Sequence, residues 1–354
     1  MKDDIFIGRD YYKPFAFPWA FEYYNEQQKM HWLPEEVSLH EDLRDFKKAT
    51  PEEQNLIRQL FRFFTQGDVD VAKAYYERYI PAFPSPEMRM MLGSFANMEA
   101  VHQHAYSLLL DTIGMPEKEY KAFYDFKEMV DKHDYVFKDD HELNLPAEKM
   151  ARDIAIFSAF TEGLQLFSSF IILLNFPRKG KFKGMGQIIT WSVRDETLHV
   201  EGMMKTFHTM LEQNPRIWND DFKAKLYQVC RDMVKLEDNF IDLVFEMGAI
   251  DGLNPDEVKE YIRFIADRRL LQLGLKPNYG IKNNPLPWVD EILNGVEHMN
   301  FFEGRSTEYT KNAMTGNWGD VWGNDRMDNI GQNGNDGEHY EVQPINLDEE
   351  SKNG

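Results

Sequence analysis

Four separate segments of the chain place an acid in the middle of an otherwise apolar helical stripe, and any fold must compensate all four. Leu92, Phe95, Glu99, His102, Tyr106 and Leu109 follow one another at three- and four-residue steps, the spacing that lines one face of a helix. Met185, Ile189, Ser192, Glu196, His199, Met203 and Phe207 repeat the arrangement. Asp68 sits on the stripe Ile57, Leu60, Phe64, Asp68, Val71, Tyr75, and Glu162 on the stripe Ala155, Ala159, Glu162, Leu166, Leu173. An unpaired buried carboxylate costs several kcal/mol or must keep its proton, so something has to sit among these groups.

Glu-x-x-His alone is a weak signal. With 60 acids and 10 histidines in 354 residues, about one or two acid-x-x-His pairs arise by chance, and Asp336 and His339 form such a pair near the C-terminus. The order of the motifs is more specific. Asp68 precedes Glu99 by 31 residues and Glu162 precedes Glu196 by 34, so a lone carboxylate is followed about one helix later by Glu-x-x-His, twice. Asp70 competes with Asp68, but two residues apart on a helix they face different sides, and register with Phe64 and Val71 favours Asp68.

Helical periodicity extends over roughly 51–80, 87–114, 148–176, 184–213, 216–247 and 255–273, with little strand-like alternation. Thr50 is placed to cap, and Pro51 to occupy the first turn, of the first long helix. Residues 1–47 read as an irregular segment broken by Pro14, Pro18 and Pro34, and 48–310 as the bundle. Residues 311–354, rich in Gly, Asn and acids, read as a flexible tail. Four helices supplying four carboxylates and two histidines match the ligand set of an all-α, ferritin-like bundle with a dinuclear metal site. Oxygen-rich ligands with one imidazole per ion suit Fe or Mn, iron foremost.

A net charge of −20 argues against a nucleic-acid partner, since phosphate contacts need clustered cations. Cys230 is the single cysteine, which excludes an internal disulfide and points to a reducing, cytoplasmic setting. The N-terminal residues lack the basic start and apolar run of a signal peptide, and "FSSFIILLNF" is too short to span a membrane.

The segments "FFTQGDVDV", "MEAVHQHAYSLLLDT", "FTEGLQLFSSF", "VRDETLHVEG" and "NFFEGRSTEYTK" together resemble the small, radical-generating subunit of class I ribonucleotide reductase, over roughly residues 31–311. The resemblance implies that Asp68, Glu99 and His102 hold one metal and Glu162, Glu196 and His199 the other, with iron, manganese or a mixed pair as occupants. It implies a tyrosyl radical on Tyr106, linked through Asp195 to Trp32, with Tyr340 as the relay toward a large catalytic subunit. The C-terminal "EVQPINLDEE" would dock on that subunit, and the small subunit would form a homodimer. Cys230 cannot supply the several thiols that ribonucleotide reduction requires, so the substrate is handled by the partner. A stand-alone two-metal oxidase or oxygenase and a ferritin-type iron store use the same ligand set. Neither has a use for Trp32, Asp195 and Tyr340 leading outward.

Overall fold

Helix starts coincide with capping chemistry in the computed structural model, which describes residues 4–137 and 146–293. The Thr50 hydroxyl accepts from the Glu53 amide, and the Glu53 carboxylate accepts from the Thr50 amide. With Pro51 in the first turn, this reciprocal cap starts α3 (Pro51–Ala74). Asn254, Glu257 and Pro255 do the same for α11 (Pro255–Gln272). Between them lie the short α4 (Ile80–Ala82), α5 (Pro86–Ile113), α6 (Lys127–Phe137), α7 (Ala147–Ile154), α8 (Leu166–Arg178), α9 (Lys183–Gln213) and α10 (Asp220–Val244). Among the described residues there is no strand beyond an isolated bridge between Ile250 and Leu253.

The segment expected to be irregular is not so throughout. It contains α1 (Pro18–Lys29) and α2 (His40–Lys48). Proline is compatible with a helix at its first position, where the missing N–H would be unpaired anyway, and Pro18 occupies that position in α1. A second departure is helical geometry. Tyr75–Tyr79, after α3, and Ala155–Gln165, between α7 and α8, are π-helical, a widened turn that often occurs at functional sites. The tail expected over 311–354, with Tyr340, lies outside the described residues.

The core is formed by α3, α5, α9 and the continuous α7–π–α8 rod. Helix α3 packs on α5, α5 on α9, and α9 on the rod, while Phe64 of α3 stacks on Phe170 of α8 at 5.7 Å. Residues 147–178 are long and apolar enough to cross a membrane by length and composition, yet the window that qualifies is 100% buried inside the protein. Each fully buried Leu, Ile or Phe along this rod contributes about 1.5–3 kcal/mol, which explains its apolarity.

Helices α1 and α2 lie across α5 and α9. Helix α2 also caps α9 from outside: Asp42 accepts from the Gly184 and Met185 amides, and Asp45 from the Phe182 amide. Burial pushes the Asp42 carboxyl up, against those two amide bonds. Gly184 makes the approach possible, because a Cβ there would meet the Ser38 carbonyl at 2.6 Å.

Gly202 on α9 serves the same purpose deeper in the bundle. A Cβ at this position would lie 2.9 Å from the Phe95 ring, and that ring packs at 4.4 Å on His199. Gly202→Ala is therefore expected to cost about 1–3 kcal/mol by overpacking, read as a lower urea midpoint with an unchanged slope.

Candidate metal centre

The four core helices bring the six expected side chains together. Ligand-capable atoms of Glu99, Glu162, Glu196 and His199 all lie within 4.8 Å of one another. His199 Nδ1 is 3.0 Å from Glu99, 3.7 Å from Glu196 and 3.9 Å from Glu162. His102 Nδ1 is 3.4 Å from Glu196 and 3.6 Å from Glu99. Asp68 adjoins this group from α3, where the charges of Glu99, His102 and Glu196 act on it. All six residues are buried.

Asp70 faces elsewhere. It accepts from Gln66 and pairs with His133 of α6 at 3.2 Å. Two residues apart on one helix, Asp68 and Asp70 thus face different neighbours.

Both imidazoles are held from outside by the nitrogen that points away from the cluster. His102 Nε2 donates to Asp195 Oδ2 at 3.2 Å, and His199 Nε2 to Gln27 Oε1 at 3.2 Å. Gln27 in turn donates to Asp195 Oδ1 at 3.3 Å, and Trp32 Nε1 donates to Asp195 Oδ2 at 2.7 Å. Committing Nε2 outward turns both Nδ1 atoms toward the carboxylates, the outer-shell arrangement that orients metal-binding histidines.

Asp68 Oδ2, both oxygens of Glu99, Glu162 Oε2, Glu196 Oε2 and His199 Nδ1 are buried without a directed hydrogen bond. Buried polar atoms are almost always satisfied, so this set of unbonded oxygens and a ring nitrogen, four of whose residues converge within 4.8 Å, fits a cation site. Without metal, protons carry the balance. Burial pushes Asp68 and Glu162 well up, reinforced by Glu99 for the first and Glu196 for the second. For Glu99 the contacts with His102 and His199 outweigh burial and bring it down to about 2. Burial pulls His199 down, but Glu196 and Glu99 overcome this and lift it to about 10.

A cation at His199 Nδ1 displaces the proton that this ring holds at neutral pH in the metal-free chain. Metal binding should therefore release protons, and affinity should fall as pH is lowered anywhere below about 10. Adding Fe(II) or Mn(II) anaerobically to weakly buffered metal-free protein, with a pH indicator, should show acidification. Proton uptake, or no change, would contradict this charge balance.

Tyr106 stands one turn beyond His102, ring centroids 6.4 Å apart, with Phe64 stacked on its face at 4.6 Å. Its hydroxyl donates to Ser192 Oγ at 2.9 Å, and Ser192 donates to the Ile188 carbonyl. Burial, and then the charge of Asp68, push the phenol well up, so it keeps its proton. A second phenol also reaches the site: Tyr75 donates to Glu162 Oε1 at 2.7 Å.

Gln27 and Tyr75 were not among the expected site residues. Tyr75 ends the very stripe that carries Asp68, which was the available signal. Gln27 had none beyond Pro18 opening its helix.

The profile of the family "Ribonucleotide reductase, small chain" matches residues 9–285. A "probable ribonucleoside-diphosphate reductase small subunit" of Invertebrate iridescent virus 6 is 44% identical over 351 residues, covering 89% of this chain and 98% of that protein. Among solved structures, the ribonucleotide reductase R2 subunit from Clostridium botulinum superposes with a TM-score of 0.72 at 24% identity, over 78% of this chain and 88% of that one. The dimanganese(II)-NrdF of Streptococcus sanguinis gives 0.70 at 18% identity, over 80% of this chain and 100% of that one.

Proposed function

Because this chain belongs to the ribonucleotide reductase small-chain family, we propose that its buried centre holds two metal ions and generates a radical on Tyr106 for export to a large catalytic subunit. The fold is an all-α, ferritin-like bundle and the protein is an oxidoreductase subunit. Asp68, Glu99 and His102 would hold one ion, and Glu162, Glu196 and His199 the other. When bound, the ions supply oxygen activation and a strong one-electron oxidant beside the phenol. Iron fits the oxygen-rich donors, and manganese, carried by the S. sanguinis protein, uses the same set.

The chain's own residues do the rest. Tyr106 yields an electron; Ser192 accepts the hydrogen bond that orients its O–H, and the carboxylate of Asp68, whose charge acts on the phenol, is the acceptor for its proton. Phe64 and the surrounding apolar side chains keep water and solutes from the phenol. Asp195 ties His102 to Trp32, so the centre is joined to an oxidisable indole outside the ligand sphere. Tyr340, in the C-terminal segment, continues the relay to the large subunit, and the small subunit acts as a homodimer that serves that subunit, where ribonucleoside diphosphates are reduced.

The observation that carries this reading is the unbroken bonded path from His102 through Asp195 to Trp32, for which a store or a self-contained oxidase has no use. The test is anaerobic loading with Fe(II) or Mn(II), exposure to oxygen or superoxide, and low-temperature electron paramagnetic resonance, followed by turnover with the large subunit. An organic radical and deoxynucleotide formation are expected. Absence of a radical with every metal would overturn the proposal.

A further inference from the structure

Of the six expected ligands, Glu162 is the one carried by a π-helical segment, and α11 reaches that segment with a buried arginine. Helix α11 packs against Ala155–Gln165, and its Arg269 is 1% exposed. Arg269 Nε donates to the Gly163 carbonyl at 2.8 Å, and the guanidinium lies over the Phe167 ring, 5.1 Å from the centroid. The side chain therefore spans the end of the widened turn, touching the residue after Glu162 and the second residue of α8. Nη1 donates to Gln272 on α11 itself.

Two further observations tie this contact to the centre. A Cβ at Gly163 would lie 2.6 Å from Arg269 Nε and 2.7 Å from the Ser158 carbonyl, so glycine lets the arginine and the widened turn share one space. Burial pulls the guanidinium down, and the charge of Glu162 is among those acting against it. Tyr75 already bonds the Glu162 carboxylate, and Arg269 fixes the backbone beside it. A side chain that bonds into the carbonyl ladder of a helix is a physical cause of local departure from α geometry. Partners outside the ligand shell in turn set where a ligand points.

We propose that Arg269 is a positioning residue for Glu162: its bond to the Gly163 carbonyl holds the widened turn in the register that aims this carboxylate into the centre. The proposal rests on the two-ion reading of the site. It makes the ion bound by Glu162, Glu196 and His199 depend on α11, a helix that supplies no ligand, while the ion bound by Asp68, Glu99 and His102 does not.

The test has two arms on the full chain. In the first, Mn(II) is titrated anaerobically into metal-free protein and bound ion is followed by electron paramagnetic resonance. The wild type should bind two ions. Arg269→Met should keep one at wild-type affinity and bind the second about 10–100-fold more weakly. Gly163→Ala, which displaces the arginine without removing it, should give the same split, and it carries the prediction should Arg269→Met not fold. Arg269→Lys, which keeps a donor, should recover part of the affinity. Adding Asp68→Asn to Arg269→Met should leave no tight site, because each change weakens a different ion. In the second arm, without metal, amide hydrogen exchange over residues 155–165 should quicken about tenfold or more in Arg269→Met, while exchange around Glu99 in α5 stays as in the wild type. Equal weakening of both ions, no weakening in a folded variant, or a tight site surviving in the double variant would overturn the proposal. A wild type that binds fewer than two ions would instead overturn the two-ion reading, and the exchange arm would still decide whether Arg269 holds the turn.

Discussion

Tyr106→Phe is expected to fold and bind metal normally, form no organic radical, and lose turnover with the large subunit by about a thousandfold or more, a barrier rise of about 4 kcal/mol. The change removes one oxygen atom from a closely packed site. The ring can keep its stacking on Phe64, and Ser192 loses a donor but keeps its bond to the Ile188 carbonyl, so the stability cost should be about 1 kcal/mol. What is lost is the O–H that can surrender an electron and a proton together. Resonance spectra, metal stoichiometry and deoxynucleotide yield on one preparation separate the outcomes. Tyr75→Phe is the control, because Tyr75 also reaches the cluster, through Glu162. A radical that survives Tyr106→Phe but not Tyr75→Phe would move the assignment to the other phenol.

The second large effect concerns stability. Lys132 of α6 and Glu237 of α10 are both fully buried, with Lys132 Nζ 2.7 Å from Glu237 Oε2. The ammonium lies over the rings of Phe63 and Phe240, 3.9 and 4.0 Å from their centroids, and Ser168 donates to the other Glu237 oxygen. Burial pulls Lys132 down and pushes Glu237 up, each against the pull of its partner. Lys132→Met strands the carboxylate and should cost about 3–5 kcal/mol in denaturant unfolding. Replacing both, as Lys132→Met/Glu237→Leu, should recover most of that loss, because two apolar side chains need no compensation there. Recovery fails only if the pair contributes more than its mutual neutralisation.

Much of the centre was legible because a buried ligand set leaves acids where periodicity demands apolar residues. Asp68, Glu99, Glu162 and Glu196 each interrupt a stripe, and the two histidines follow at one turn's distance. Asp68 could be told from Asp70 by angle alone. What escaped has no periodic signature. The two π-helical segments keep the composition of ordinary helix, so nothing in "AIFSAFTEGLQ" announces the wider turn that carries Glu162. Gln27 is an unexceptional polar residue in a proline-punctuated stretch, and its importance comes from contacts to residues more than 160 positions away. Lys132 and Glu237 were hidden similarly, as ordinary charges in a chain with many, and α6 itself was not read as a helix.

Asp195 accepts from Trp32, His102 and Gln27, and two of those three donors come from the first 47 residues. That segment is therefore a keystone and not an appendage. A chain trimmed to begin at residue 48 would retain every carboxylate and imidazole of the buried cluster and the Tyr106 phenol itself. It would nonetheless lose the Gln27 tether of His199, the Trp32 indole that shares Asp195 with His102, and the α2 carboxylates that seat the start of α9. The boundary that composition draws between preamble and bundle thus runs through the middle of the working unit.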